Sequence, residues 1–140
     1  MPEKNPGVLN CQAIKKAVSS GHIISRSAPI DDGQIQPASM DLRLGKKAYR
    51  LISSFLPEDS EVMERLHTPD VYGSDLVMYE TDISKGGILE KGHVYLIPLI
   101  EELKLPKDMR GRANPKSTTG RLDIFARVLT NRSPRFDDIA

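Results

Sequence analysis

The segment "RANPKSTTGRLDIFARVLTN", Arg112 to Asn131, gathers the groups that could do chemistry. The hydroxyls of Ser117, Thr118 and Thr119 run into Gly120, between Lys116 and Arg121. Arg112, Arg127 and, just beyond the segment, Arg132 add positive charge. A phosphate group is held by converging donors: backbone N–H groups around a glycine, hydroxyls and cations. "KSTTGR" offers all three kinds within six residues. The order is not that of a Walker A loop, G-x-x-x-x-G-K-[ST], nor of a dinucleotide-binding fingerprint. Taken alone, the hexamer is ordinarily a Ser/Thr-rich turn with no ligand.

Charge distribution adds to it. Between Lys107 and Arg135, eight basic residues are opposed only by Asp108 and Asp123, a net of +6; the rest of the chain is −5, leaving +1. An excess confined to one segment suits a small anion better than a polyanion, the bland alternative being a solvated basic face. Aromatic residues make up 5% and Trp is absent, which disfavours stacking platforms for single strands. Nucleic acid is therefore not an expected partner. His22, His67 and His93 are scattered and Cys11 is the single cysteine. They cannot form the H-x-E…P-C-x-x-C zinc signature of most base deaminases, and no protein-held metal is expected. Cys11 itself reads as a small core residue rather than a nucleophile.

The elements that must position this segment are mostly short. A chain of 140 residues fits one domain, and residues 1–140 are read as one. It has no apolar run of 18 residues, and "MPEKNPG" has no apolar leader core, so a cytoplasmic protein with no membrane partner is expected. "NCQAIKKAVSSG" predicts a helix, capped by Asn10, ended by Gly21, with Cys11, Ile14 and Val18 on one face. "IQPASMDLRLG" alternates Met40, Leu42 and Leu44 with Asp41 and Arg43 and ends on Gly45, a strand pattern. "HVYLIPLIEELKLP" predicts a long extended run, with Pro98 marking an edge or bulge. "LDIFARVLT" predicts a further strand, and "PEDSEVMERLH" either a helical turn or a loop. With ten Pro and ten Gly as punctuation, the pattern is that of a mainly β barrel or sandwich.

Two of these stretches, in this order, resemble motifs of the dCTP deaminase family, relatives of the trimeric dUTPases. Ser39, Asp41, Leu42, Arg43, Leu44 and Gly45 resemble its Ser-x-Asp-Leu-Arg-Leu-Gly strand motif. Lys116, Ser117, Thr118 and Arg121 resemble its basic-Ser-Ser-Leu-Ala-Arg-Leu nucleotide-binding segment. The departures are Lys116 for arginine, which keeps the charge but loses the bidentate fork, Thr118 for serine, and Thr119-Gly120 for Leu-Ala. "NPKSTTGRLDIF" is most similar to the long bacterial form of these enzymes.

The resemblance implies a β-clip (dUTPase-like) fold, a homotrimer with sites at subunit interfaces, and the reaction of dCTP with water to dUTP and ammonia. It implies Mg2+ bound through the substrate triphosphate and a glutamate general base in place of zinc. Ser117 and Arg121 are implied as catalytic, Ser117 orienting water and Arg121 stabilising developing charge. Lys116 and Thr118 are implied as phosphate ligands. Asp137, or in the adjacent register Asp138, is implied at the deoxyribose. The family glutamate matches a strand past "RSPRFDDIA", so these 140 residues are expected to be the N-terminal part of a longer enzyme, inactive in isolation. The alternatives are a dUTPase, a bifunctional deaminase/dUTPase, a non-catalytic nucleotide-binding or oligomerisation module, or, third in rank, a nucleic-acid binder, which would show steep salt dependence. Arg121 favours a deaminase over a dUTPase, whose matching segment generally lacks it.

Overall fold

The computed structural model describes residues 7–25, 27–57, 59–69, 73 and 75–131. Helix α1, Cys11–Ser19, is capped by the Asn10 side chain, which accepts the Ala13 N–H. Gly21, at φ +73°, turns the chain away from the helix end. The apolar face of α1 buries Ile14 and Ala17 against Ile23, with Val18, Met40, Leu103 and Met109 packed around them. Cys11 is half-buried at the start of that helix. Strand β1, Ile23–Ser25, follows directly and pairs antiparallel with β5, Glu101–Leu103.

A second sheet has the order β3-β2-β4: Val77–Asp82, Lys47–Leu51 and Val94–Leu96, all antiparallel. Its core is Tyr49, Leu51 and Leu66, flanked by Phe55, Val77 and Leu96. Leu66 belongs to α2, Val62–Leu66, so the uncertain middle of the sequence does form a helical turn. Arg50 lies opposite Tyr79 on one neighbour and Tyr95 on the other. Its guanidinium covers the Tyr79 ring at 5.5 Å and reaches Glu90 at 3.2 Å and His93 at 2.8 Å. These contacts fasten the loop before β4 to the sheet.

Three strand expectations need correction. The run "HVYLIPLIEELKLP" is not one strand but β4 and β5, in different sheets. Pro98 sits between them; it has no N–H to give a ladder, and the chain changes sheet there. The stretch "LDIFARVLT" contains no strand; it follows α3, Ser117–Arg121, as irregular chain. The cause is the end of that helix. Asp123 adopts φ 58°, its N–H bonds the Gly120 carbonyl, and the Ile124 N–H bonds the Thr119 carbonyl. This is a Schellman cap, and it commits Leu122 to Ile124 to ending a helix. Leu122, Ile124 and Phe125 are left 72%, 50% and 89% exposed.

The stretch "IQPASMDLRLG", also expected to be a strand, forms none and carries only the isolated bridges Ile35–Met40 and Leu44–Leu99. The Ile100 N–H bonds the Arg43 carbonyl and the Gly45 N–H bonds the Pro98 carbonyl at 2.7 Å. A Cβ on residue 45 would also come within 2.7 Å of that carbonyl oxygen, so the backbones can approach only with glycine here.

Candidate active site

Lys116, Ser117, Thr118 and Arg121, the four residues read together from the sequence, stay together in the fold: Lys116 is the N-cap of α3 and the others lie within it. All four are exposed, and α3 buries no side chain. Five residues with a glycine among them make a weak helix by propensity. It is held instead at its C-terminal end, by the Schellman cap after it. Ser117 and Arg121 are four residues apart, so hydroxyl and guanidinium lie on one side of the turn, and Thr118 is three residues from Arg121. The Arg121 side chain has no hydrogen-bond or ion-pair partner among the described residues. Asp137 and Asp138 lie outside the described residues.

The other motif meets this helix through one contact: Lys116 Nζ donates to Asp41 Oδ2 at 2.6 Å. Asp41 is itself tightly held. Its N–H bonds the Gln34 carbonyl at 2.8 Å, and its carbonyl accepts from Gln34 Nε2 at 3.0 Å. Gln36 Nε2 approaches Oδ2 at 3.4 Å.

Behind Asp41 is a buried ionic centre that sequence reasoning passed over. Glu101, whose side chain is fully buried, accepts from Gln34 Nε2 at 2.9 Å, Arg43 Nε at 2.7 Å and the Arg43 N–H at 2.7 Å. The Arg43 guanidinium also donates to the carbonyls of Pro29 and Ala28, at 3.1 and 3.0 Å. Burial pushes the Glu101 carboxyl up, but the Arg43 N–H, the Gln34 amide and the Arg43 guanidinium outweigh it and hold it below its ordinary value. A carboxylate so held does not pick up protons near neutral pH, so Glu101 is a structural anion and no general base. One signal for this centre was legible: Asp31 and Gln34 are spaced as a capping box, and they form one around the 3-10 turn Asp32–Gln34. Its partner across the fold was not.

Hydroxyls and two cations thus share an exposed turn, with an aspartate anchoring one cation, and no enclosed pocket surrounds them among the described residues. Among the described residues no group of three or more His, Cys, Asp or Glu side chains converges as a metal site.

Residues 5–140 match the model of the 2'-deoxycytidine 5'-triphosphate deaminase (DCD) N-terminal domain. The chain belongs to this dCTP deaminase family. Among curated proteins it is 34% identical to a "dCTP deaminase, dUMP-forming" of Sulfurihydrogenibium sp. (strain YO3AOP1), over 84% of this chain and 60% of that one. Against a protein of the same name from Dictyoglomus thermophilum it is 35% identical, over 84% of this chain and 58% of that one. The crystal structure of 2'-deoxycytidine 5'-triphosphate deaminase from Agrobacterium tumefaciens superposes with a TM-score of 0.82 at 45% identity, covering 94% of this chain and 36% of that chain. The chain thus spans about three fifths of those curated dCTP deaminases and about a third of the solved one. The fold of this family member is the mainly β, dUTPase-like one, with two small sheets that stay open among the described residues.

Proposed function

We propose that these 140 residues form the nucleotide-binding part of an enzyme that hydrolytically deaminates dCTP to dUTP and ammonia. The observation that carries this reading is the family match over residues 5–140. The Lys116–Asp41 ion pair, 2.6 Å long, supports its location, because it joins the two motifs on which the resemblance rests.

The substrate is the Mg2+ complex of the nucleotide, since a triphosphate carries its own divalent ion. Lys116 uses one of its three N–H donors on Asp41 and has two for a phosphate oxygen. The Thr118 hydroxyl donates to the same group. At the base, water adds to C4 of the cytosine, N3 takes a proton, and the C4 amine leaves as ammonia after receiving another. Ser117 orients the attacking water by hydrogen bonding. Arg121 stabilises the negative charge that develops as the water adds and holds that water in line. The proton carrier in this reading is the glutamate that the family resemblance places past "RSPRFDDIA"; Glu101 and Asp41 are already engaged by Arg43 and Lys116. Asp137 holds the deoxyribose in this reading. The exposed Leu122, Ile124 and Phe125 beside α3 suit a surface covered by a neighbouring subunit, as in a homotrimer with sites at its interfaces.

A second reading has one observation in its favour: the curated relatives are named dUMP-forming. Such an enzyme would also hydrolyse the triphosphate, giving dUMP and pyrophosphate. The whole enzyme, incubated with dCTP and Mg2+, separates the readings. Ammonia with dUTP supports the first, and ammonia with dUMP and pyrophosphate the second. Absence of ammonia overturns both in favour of a binding or oligomerisation module. The 140-residue chain alone is expected to release no ammonia, and robust turnover by it would place the proton carrier inside it. Lys116→Ala in the whole enzyme is expected to raise KM for dCTP about tenfold with kcat nearly unchanged, the signature of lost uniform phosphate binding. Steady-state kinetics over a range of dCTP concentrations checks it, and an unchanged KM removes Lys116 from the site.

A further inference from the structure

Gln34 is one of two buried polar residues among the described residues, 6% exposed, and its side-chain amide is fully used. One amide nitrogen serves both Glu101 Oε1, at 2.9 Å, and the Asp41 carbonyl, at 3.0 Å. The amide oxygen accepts the Asp31 N–H at 3.2 Å, and the Gln34 backbone carbonyl accepts the Asp41 N–H at 2.8 Å. Asp41 is therefore gripped on both its backbone groups by a single residue. That grip aims its carboxylate outward at Lys116, 2.6 Å away. Lys116 is a long side chain, 65% exposed, on a helix that buries nothing. Asp41 is its one hydrogen-bonded or ionic partner among the described residues. Without a fixed Asp41 the ammonium would sample many rotamers.

We infer that Gln34 is a positioning residue for nucleotide binding: anchored on buried Glu101, it fixes Asp41, and Asp41 sets where the Lys116 ammonium meets the phosphate. This rests on the reading of Lys116 as a phosphate ligand. The chain of contacts runs from core to surface, Glu101 to Gln34 to Asp41 to Lys116, so a change at Gln34 reaches the substrate only through Lys116. That gives a signature that a purely structural glutamine lacks. A structural residue lowers stability whatever stands at position 116, and it has no special coupling to that lysine.

The experiment is a double-mutant cycle in the whole enzyme: wild type, Gln34→Met, Lys116→Ala and the double variant, with KM and kcat for Mg2+–dCTP and the melting temperature of each. Gln34→Met is expected to raise KM about 3- to 10-fold, the size of one net hydrogen bond, with kcat little changed. In the Lys116→Ala background the same substitution is expected to leave KM where it is, while the melting temperature falls equally in both backgrounds. An equal KM increase in both backgrounds overturns the inference, as does an unchanged KM beside a lowered melting temperature. If Lys116→Ala itself leaves KM unchanged, the phosphate-ligand reading falls and takes the inference with it. Additive effects with a raised Lys116→Ala KM sink the inference alone. Should Gln34→Met not fold, Gln34→Asn, which keeps an uncharged amide but is one methylene too short to span Glu101 and Asp41, replaces it in the same cycle with the same outcomes.

Discussion

Arg121→Ala in the whole enzyme is expected to lower kcat for dCTP deamination on the order of 100- to 1,000-fold while KM moves little. The size follows from the loss of a preorganised charge-stabilising donor at a reacting centre. The guanidinium is exposed on the same side of α3 as Ser117, one turn away, and no protein group among the described residues neutralises it. The same exposure predicts that the substitution costs little stability, within about 0.5 kcal/mol as for most surface changes. Kinetics and melting curves of one preparation therefore decide between a catalytic role and a brace for the loop. A near-normal kcat beside a collapsed melting temperature would make Arg121 a brace and remove it from the mechanism.

Arg43→Ala is expected to cost about 3 kcal/mol of folding stability, because it leaves the Glu101 carboxylate buried without its cation. In a domain of this size that is a fall in Tm of roughly 10 °C. Adding Glu101→Gln to Arg43→Ala should restore part of it, since no uncompensated buried charge then remains. A double variant no better than the single one would show that packing of the arginine stem, not charge, is what matters. The pH dependence has a definite sign. The folded Glu101 carboxyl lies below its ordinary value, so its stabilisation is present above the usual carboxylate range, about pH 4.3, and is lost as pH falls through the folded value. In Arg43→Ala the buried carboxyl rises, its protonation then favours the folded state, and the stability deficit of the variant relative to the wild type should narrow as pH falls through the carboxylate range. Denaturant titrations between neutral pH and pH 3 test this.

Local chemistry was legible where short-range forces decide it. Asn10 before an amphipathic run specified α1, and the α2 turn was visible as one of two readings of its segment. Gly45 ended its strand pattern, though the reason, a carbonyl oxygen 2.7 Å from where its Cβ would stand, comes from the other side of the fold. "LDIFARVLT" misled because its apolar residues suit a strand, whereas the turn before it closes as a helix cap. A five-residue helix ended by an aspartate at φ 58° carries almost no periodic signal.

The amino-acid order by itself determined the family, through two motifs in sequence, and the cluster of Lys116, Ser117, Thr118 and Arg121, because those residues are neighbours along the chain. Only the tertiary structure decided what stands behind them. Arg43 and Glu101 are 58 positions apart, and Gln34 and Glu101 are 67 apart. Nothing in the local pattern marks Glu101 as different from Glu102 beside it. Which of the two is buried depends on the face that β5 turns to the 3-10 turn and to Arg43 when β1 pairs with it, Ser25 against Glu101 and Ile24 against Glu102. Side chains alternate along a strand, so that register sends one glutamate inward to an arginine and the other to the opposite face.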